Sequence, residues 1–122
     1  MKLHASAPSG AQMVTAYGED YVTVNGVRYE ESIVVLPERV QRWDAPGFES
    51  LSEANFSALL QTGAEILILG TGAKQRFPHP RLTAPLTRAG IGLEVMTLQA
   101  ACRTYNILVA EERKVAAALL FR

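Results

Sequence analysis

A glycine-containing segment near the middle of the chain has the residue types of an anion-binding loop. Gly70, Thr71 and Gly72 end an apolar run, and Lys74 and Arg76 follow directly. Backbone N–H groups in a glycine turn can form a concave nest for an anion, and the two cations would add positive charge. The pattern therefore predicts a ligand site where a buried strand ends, a position at which α/β sheets commonly bind ligands.

The spacing in this segment, the 70–76 loop, does not match the established nucleotide-binding motifs. The third glycine of the dinucleotide fingerprint would fall on Gln75, and the Walker A spacing is absent. The residues that follow, Phe77-Pro78-His79-Pro80, are predicted to be extended, because a proline disfavours helical backbone in the residue before it. Two interpretations stay open: a tight structural exit from the sheet, or a pocket for a small anion.

Two further polar side chains could line such a pocket. His79 is held between two prolines, and Asn106 lies in an otherwise apolar helical stretch. We therefore hypothesise a small-anion or enzymatic pocket at the 70–76 loop that is lined by Arg76, His79 and Asn106. Each of the last two has a structural alternative, since a histidine can simply cover a loop and a buried asparagine can cap a neighbouring segment.

The single cysteine and the two histidines give weak signals for nucleophilic or metal chemistry. Cys102 falls on the apolar side of a predicted helix with Leu98 and Tyr105, so we predict that it is a core residue. A reactive thiol would need an electropositive and partly exposed setting. His4 and His79 are far apart, and the sequence has neither Cys-x-x-Cys nor His-Glu-x-x-His spacing. We assign no catalytic residue, no metal ligand and no cofactor, and leave open whether the chain is an enzyme.

The bulk composition is that of a globular protein without a general affinity for polyanions. Twelve basic and twelve acidic residues give a net charge of zero, which argues against nucleic-acid binding. No apolar run approaches the roughly 20 residues that a membrane-spanning helix needs. With one cysteine and no signal-peptide pattern at the N-terminus, the chain is predicted to be cytoplasmic.

Turn signals and apolar runs indicate the elements that must position these residues. Residues 21–24 and 27–30 flank Asn25-Gly26, a strong hairpin signal because a type I′ turn needs positive φ at both central positions. In the second half, strand-like runs alternate with helical patterns, which predicts a sheet with parallel members. Residues 115–121 fit a helix by propensity and a strand by context. Residues 1–10 are predicted to be a frayed arm and residues 11–122 one domain.

Several of these segments together resemble a known family, domain of unknown function 498. The resemblance is carried by the following residues, in chain order: Leu69 to Gly72, Arg76 to Pro78, Thr97, Ala100, and Thr104 to Leu108. It implies a three-layer, Mth938-like α/β fold with a mixed central sheet, helices and an added β-hairpin layer. It also favours a strand for residues 115–121. The family usually has glycine where this chain has Glu112, which puts the positive-φ turn there in doubt.

The resemblance implies a role in protein contact rather than a reaction. Animal members of the family include a mitochondrial assembly factor for respiratory complex I. The chain is therefore expected to be an assembly or interaction module of unknown biochemical activity. Its expected partners are subunits of respiratory or other membrane complexes, and a homodimer is left open. The pocket at the 70–76 loop is the alternative.

Overall fold

The computed structural model describes residues 1–3 and 10–122. The regular elements follow in this order: β1 (Val14–Tyr17), β2 (Val22–Val24), β3 (Val27–Tyr29), β4 (Ile33–Val35), β5 (Val40–Arg42), a 3-10 helix (Phe48–Ser50), α1 (Glu53–Ala58), a 3-10 helix (Leu59–Thr62), β6 (Ile66–Thr71), α2 (Pro80–Arg88), β7 (Gly92–Met96), α3 (Leu98–Ala110) and β8 (Val115–Leu120). Residues 115–120 are therefore a strand, as the resemblance implied.

Five strands form the central sheet, in the order β5-β4-β8-β6-β7. Strand β6 runs parallel to both β7 and β8, whereas β4 pairs antiparallel with β5 and β8. Parallel neighbours need crossover connections, which α2 and α3 supply on opposite faces. The mixed central sheet with helices that we predicted is confirmed.

Strands β1, β2 and β3 form a separate antiparallel sheet, which is the expected hairpin layer. Asn25 and Gly26 join β2 to β3 with φ of 48° and 84°, so both central positions of the turn have positive φ. This is the geometry of a type I′ turn, and the predicted hairpin is confirmed.

The two faces of the central sheet are covered by different elements. Side chains alternate along a strand, so in β6 Ile68 packs towards α3 and the hairpin layer, while Leu67 and Leu69 pack towards α1 and α2. The layers are thus held together by two apolar clusters. No helix among residues 1–3 and 10–122 is long and apolar enough to cross a membrane.

Residues 1–3 form backbone hydrogen bonds with β1, and the frayed arm predicted for residues 1–10 as a whole stays a prediction. The N–H of Leu3 donates to the Thr15 carbonyl at 3.1 Å, and the N–H of Tyr17 donates to the Met1 carbonyl at 3.0 Å. The free edge of β1 supplies these partners, and no local pattern in the sequence reveals them. Residues 4–9, including His4, lie outside the described residues. The single domain over 11–122 stays a prediction.

The turn between α3 and β8 contains a residue with positive φ, as the family's glycine would have, although that residue is Glu112. Glu112 has φ of 60°, and its N–H donates to the Val109 carbonyl at 2.9 Å. The N–H of Arg113 donates to the Leu108 carbonyl at 2.9 Å, so the helix end is closed by backbone hydrogen bonds. The left-handed backbone at a residue with a Cβ costs about 1–2 kcal/mol.

Candidate functional site

The 70–76 loop lies at the carboxyl end of the central sheet. Strand β6 extends to Thr71, so Gly70 and Thr71 belong to the strand and the turn itself begins at Gly72, whose φ is 81°. Because β7 and β8 both run parallel to β6, their carboxyl ends reach the same edge. The predicted position of the loop is confirmed.

The hydroxyl of Thr71 is the centre of the loop's hydrogen bonding. It lies 2.6 Å from the carbonyl oxygen of Lys74 and 3.3 Å from that of Met96, and it accepts the backbone N–H of Arg76 at 3.1 Å. Thr71 is fully buried. This one side chain therefore occupies the Arg76 N–H, a donor that an anion could otherwise use, and it fixes the path of the loop.

The two glycines allow close approach to neighbouring elements. A Cβ added at Gly70 would lie 3.0 Å from the Cβ of Ala101 and 3.1 Å from Cδ2 of Leu119, so the missing side chain lets α3 sit tightly on the sheet. A Cβ at Gly72 would lie 3.1 Å from the Phe121 carbonyl oxygen. These contacts favour the structural interpretation of the glycines.

The guanidinium of Arg76 is held at the rim of this loop. Its Nη2 donates to the Thr71 carbonyl at 3.1 Å, and its Cζ lies 4.5 Å from the ring centroid of Phe48. Nη1 is 4.0 Å from the carboxylate of Glu49, and Nε is buried with no hydrogen-bond partner among the described residues. A ring and a carbonyl thus fix this cation in place, while its hydrogen-bonding capacity stays partly unused.

The structure uses His79 as a helix cap. Its Nδ1 accepts the backbone N–H of Arg81 at 3.0 Å, so His79 is the N-cap of α2. This cap starts α2 at Pro80. His79 and Lys74 are both exposed.

Asn106 is not at the loop; it joins α3 to the hairpin layer. Its Oδ1 accepts the N–H of Val14 at 3.0 Å, and its Nδ2 donates to the Val14 carbonyl at 2.8 Å. The side chain is buried. This arrangement matches the structural alternative for a buried asparagine.

A cavity of about 420 Å³ includes part of the loop, with Gly72, Ala73, Thr97 and Gln99 in its wall. The lining residues of this cavity do not include Arg76, His79 or Asn106. The three side chains proposed for one pocket are therefore not brought together there. Ligand binding by Gly70, Thr71, Gly72, Lys74, Arg76, His79 and Asn106 stays a prediction.

Cys102 is a core residue, as predicted. It is fully buried, and burial raises the pKa of its thiol to about 12. The pKa of the neighbouring Tyr105 is raised as well, first by burial and then by the charge of Glu38. Within residues 1–3 and 10–122, no three His, Cys, Asp or Glu side chains are grouped so that they could hold a metal ion.

Reasoning from the sequence missed two aromatic residues beside the loop. Phe48 lies under the guanidinium of Arg76, and Phe77 is 70% exposed. Charge patterning is the signal that would have drawn attention to this region. Residues 66–93 contain four basic residues and no acidic one, in a chain with twelve of each.

Comparison with known proteins gives one matching family and several relatives. A family described as "Protein of unknown function (DUF498/DUF598)" matches residues 14–120. A mouse protein named NADH dehydrogenase (ubiquinone) 1 alpha subcomplex assembly factor 3 is 32% identical over 112 residues. The match covers 90% of this chain and 60% of the mouse protein. The chain thus spans about 60% of the length of the curated relatives it matches.

Two solved structures share the fold. A crystal structure of a Bordetella parapertussis protein has a TM-score of 0.84 and 39% identity, over 93% of this chain and 98% of that one. A solution structure of a Bordetella pertussis protein, described as a Mth938-like domain, has a TM-score of 0.78 and 35% identity. It covers 98% of this chain and 92% of that one. The Mth938-like fold implied by the resemblance is confirmed.

Proposed function

The chain belongs to the DUF498/DUF598 family of proteins of unknown function, and from this membership we propose that it is an interaction module in the assembly of a respiratory NADH dehydrogenase. The observation that carries the proposal is its similarity, over 90% of its length, to a protein named as an assembly factor for that enzyme. The proposed activity is binding of subunits during assembly, without a chemical step.

The contacts of three polar groups support a binding role. The hydroxyl of Thr71 and the amide of Asn106 are both occupied by backbone partners, and the raised pKa of the Cys102 thiol keeps it protonated at neutral pH. A nucleophile or general base must be able to reach a substrate and change its protonation state near the working pH. These three groups stabilise the fold instead.

The proposed partners are subunits of a respiratory complex, and the proposed compartment is the cytoplasm. An assembly factor acts transiently, so its contacts should resemble the smaller and more polar class of protein interfaces. A homodimer stays a prediction.

Affinity purification tests the proposed function. The tagged protein is recovered from its native cells after gentle cross-linking, and copurifying proteins are quantified by mass spectrometry against an unrelated tagged protein of similar size. We expect subunits of the respiratory NADH dehydrogenase to be enriched over this control. Recovery of those subunits at the control level would contradict the proposal.

A further inference from the structure

Residues 74–81 carry three basic side chains and one exposed aromatic ring within eight positions of the sequence. Lys74, Phe77 and Arg81 are exposed, and Arg76 lies among them in the sequence. In the part of the chain that the structure describes, neither Lys74 nor Arg81 forms an ion pair. We call Lys74, Arg76, Phe77 and Arg81 the basic loop face. It lies inside the acid-free stretch 66–93, so its positive charge is not cancelled by carboxylates nearby in the sequence.

Arg76 is pre-organised to receive a carboxylate. The ring of Phe48 and the carbonyl of Thr71 fix its guanidinium, which lowers the entropy lost on binding. Its Nη1 faces Glu49 across 4.0 Å, and the Glu49 side chain is 91% exposed. Such an exposed pair contributes little, so an incoming carboxylate can replace Glu49 with small loss.

Phe77, the next residue in the sequence, supplies an exposed apolar side chain. Its ring is 70% exposed, and Pro78 and Pro80 stiffen the backbone that carries it. Phenylalanine and arginine side chains are enriched in protein–protein interfaces relative to the rest of the surface. A fixed arginine followed by an exposed phenylalanine therefore has the composition of an interface.

Resting on the proposed function, we propose that the basic loop face docks an acidic segment of a respiratory-complex subunit. Carboxylates of the partner would contact Lys74, Arg76 and Arg81, and an apolar side chain of the same segment would cover Phe77. Charge complementarity selects this occupant. An anionic membrane fits less well, because the face has three cations where lipid-binding clusters have about four to eight, and Phe77 is the single large apolar side chain in residues 70–81.

Photo-crosslinking tests the docking surface. A photoreactive phenylalanine analogue replaces Phe77 in native cells, and a matched variant carries it at Ile107, which is 58% exposed on α3. We expect position 77, and not position 107, to capture peptides of net negative charge from subunits of the respiratory NADH dehydrogenase. Lys74→Gln with Arg81→Gln should lower the yield about tenfold, because the double variant removes two of the three charge contacts with the acidic segment.

A charge-matched control separates this face from general electrostatics. Arg103→Gln with Arg113→Gln removes two exposed cations outside the face and should leave the yield at position 77 unchanged. Capture of neutral or basic segments, capture of phospholipid, or equal capture at position 107 would overturn the docking surface. If affinity purification recovers the subunits while position 77 captures none of them, only this inference fails. If purification recovers none, the proposed function fails and the inference fails with it.

Discussion

Two polar side chains, Asn106 and Arg76, lie in regions that differ in how completely a polar group is hydrogen-bonded. Asn106 is 8% exposed and uses both ends of its amide on the backbone of Val14. Arg76 is held by one carbonyl and one ring, and its Nη1 faces only the exposed carboxylate of Glu49, at 4.0 Å. The region around Asn106 is buried and fully hydrogen-bonded, whereas Arg76 lies at the surface and is followed in the sequence by the exposed Phe77.

The contrast separates residues that build the fold from residues that can serve a partner. A buried polar group that is fully paired stabilises the packing of two layers, so changes at Asn106 should act on stability. A surface cation that is fixed but not saturated can bind at low entropic loss, so changes on the basic loop face should act on binding. Substitutions in the two regions should therefore change different measured quantities.

Replacing Asn106 should produce the largest loss of stability. Asn106→Leu leaves the buried N–H and carbonyl of Val14 without their partners, and each unsatisfied group costs about 1–3 kcal/mol. We expect the free energy of unfolding, measured in urea, to fall by about 2–4 kcal/mol. Gln99→Leu, at an exposed position of the same helix, is the control. A loss below about 1 kcal/mol for Asn106→Leu would contradict the stabilising role of its two hydrogen bonds to Val14.

Gly70→Ala tests whether the glycine loop is architectural. The added methyl group would meet Ala101 and Leu119 at 3.0–3.1 Å, and such overpacking costs about 1–3 kcal/mol. Gly92→Ala is the matched control, because nothing lies within 4 Å of a Cβ built there. Equal unfolding free energies for the two alanine variants would refute the close-approach role.

The buried thiol of Cys102 on α3 should make the unfolding free energy sensitive to alkaline pH. Burial raises the pKa of Cys102 from 9.0 to about 12, so folding favours the protonated thiol. Its stabilising contribution is complete below pH 9 and is lost as the pH rises towards 12. Above pH 9, the unfolding free energy should fall faster in the wild type than in Cys102→Ala, by up to about 1.4 kcal/mol per pH unit. Parallel pH profiles would contradict the effect of burial.

The smallest effect is expected at the turn from α3 to β8. Glu112 has φ of 60°, so Glu112→Gly relieves an unfavourable backbone conformation and should raise the unfolding free energy by about 1 kcal/mol. Glu111→Gly is the control, because Glu111 has φ of −87° and gains only flexibility in the unfolded state. Thermal unfolding should shift upwards for position 112 and downwards for position 111.

Local conformational requirements explain what the sequence could predict. Asn25-Gly26 predicted a hairpin because its turn demands positive φ at two adjacent residues. Thr97 could be recognised as a helix cap, and its hydroxyl accepts the N–H of Ala100. Cys102 could be assigned to the core from helical spacing alone. Each of these signals lies within a few residues of the structural feature that it predicts.

Partners distant in the sequence explain what could not be predicted. For Asn106 the sequence leaves two roles open, a wall of the loop pocket or a buried cap, and its partner Val14 is 92 positions away. Phe48 stacks under Arg76 from a different part of the chain, and residues 1–3 pair with β1, where Lys2 lies opposite Ala16. For the candidate site, only the position of the loop at the sheet edge followed from the sequence. The role of each side chain depended on tertiary contacts.

The proposed assembly role is tested by the amount of assembled respiratory NADH dehydrogenase in cells that lack this protein. The deletion strain receives the wild type, Phe77→Ser or Ile107→Ser, and the complex is quantified on native gels with equal expression verified for each. The two serine variants remove comparably exposed apolar side chains and should be similarly stable. We predict that the deletion lowers the amount of assembled complex, that Ile107→Ser restores it, and that Phe77→Ser does not. An unchanged amount of complex in the deletion strain would contradict the assembly role. Equal restoration by both variants would contradict the role of Phe77.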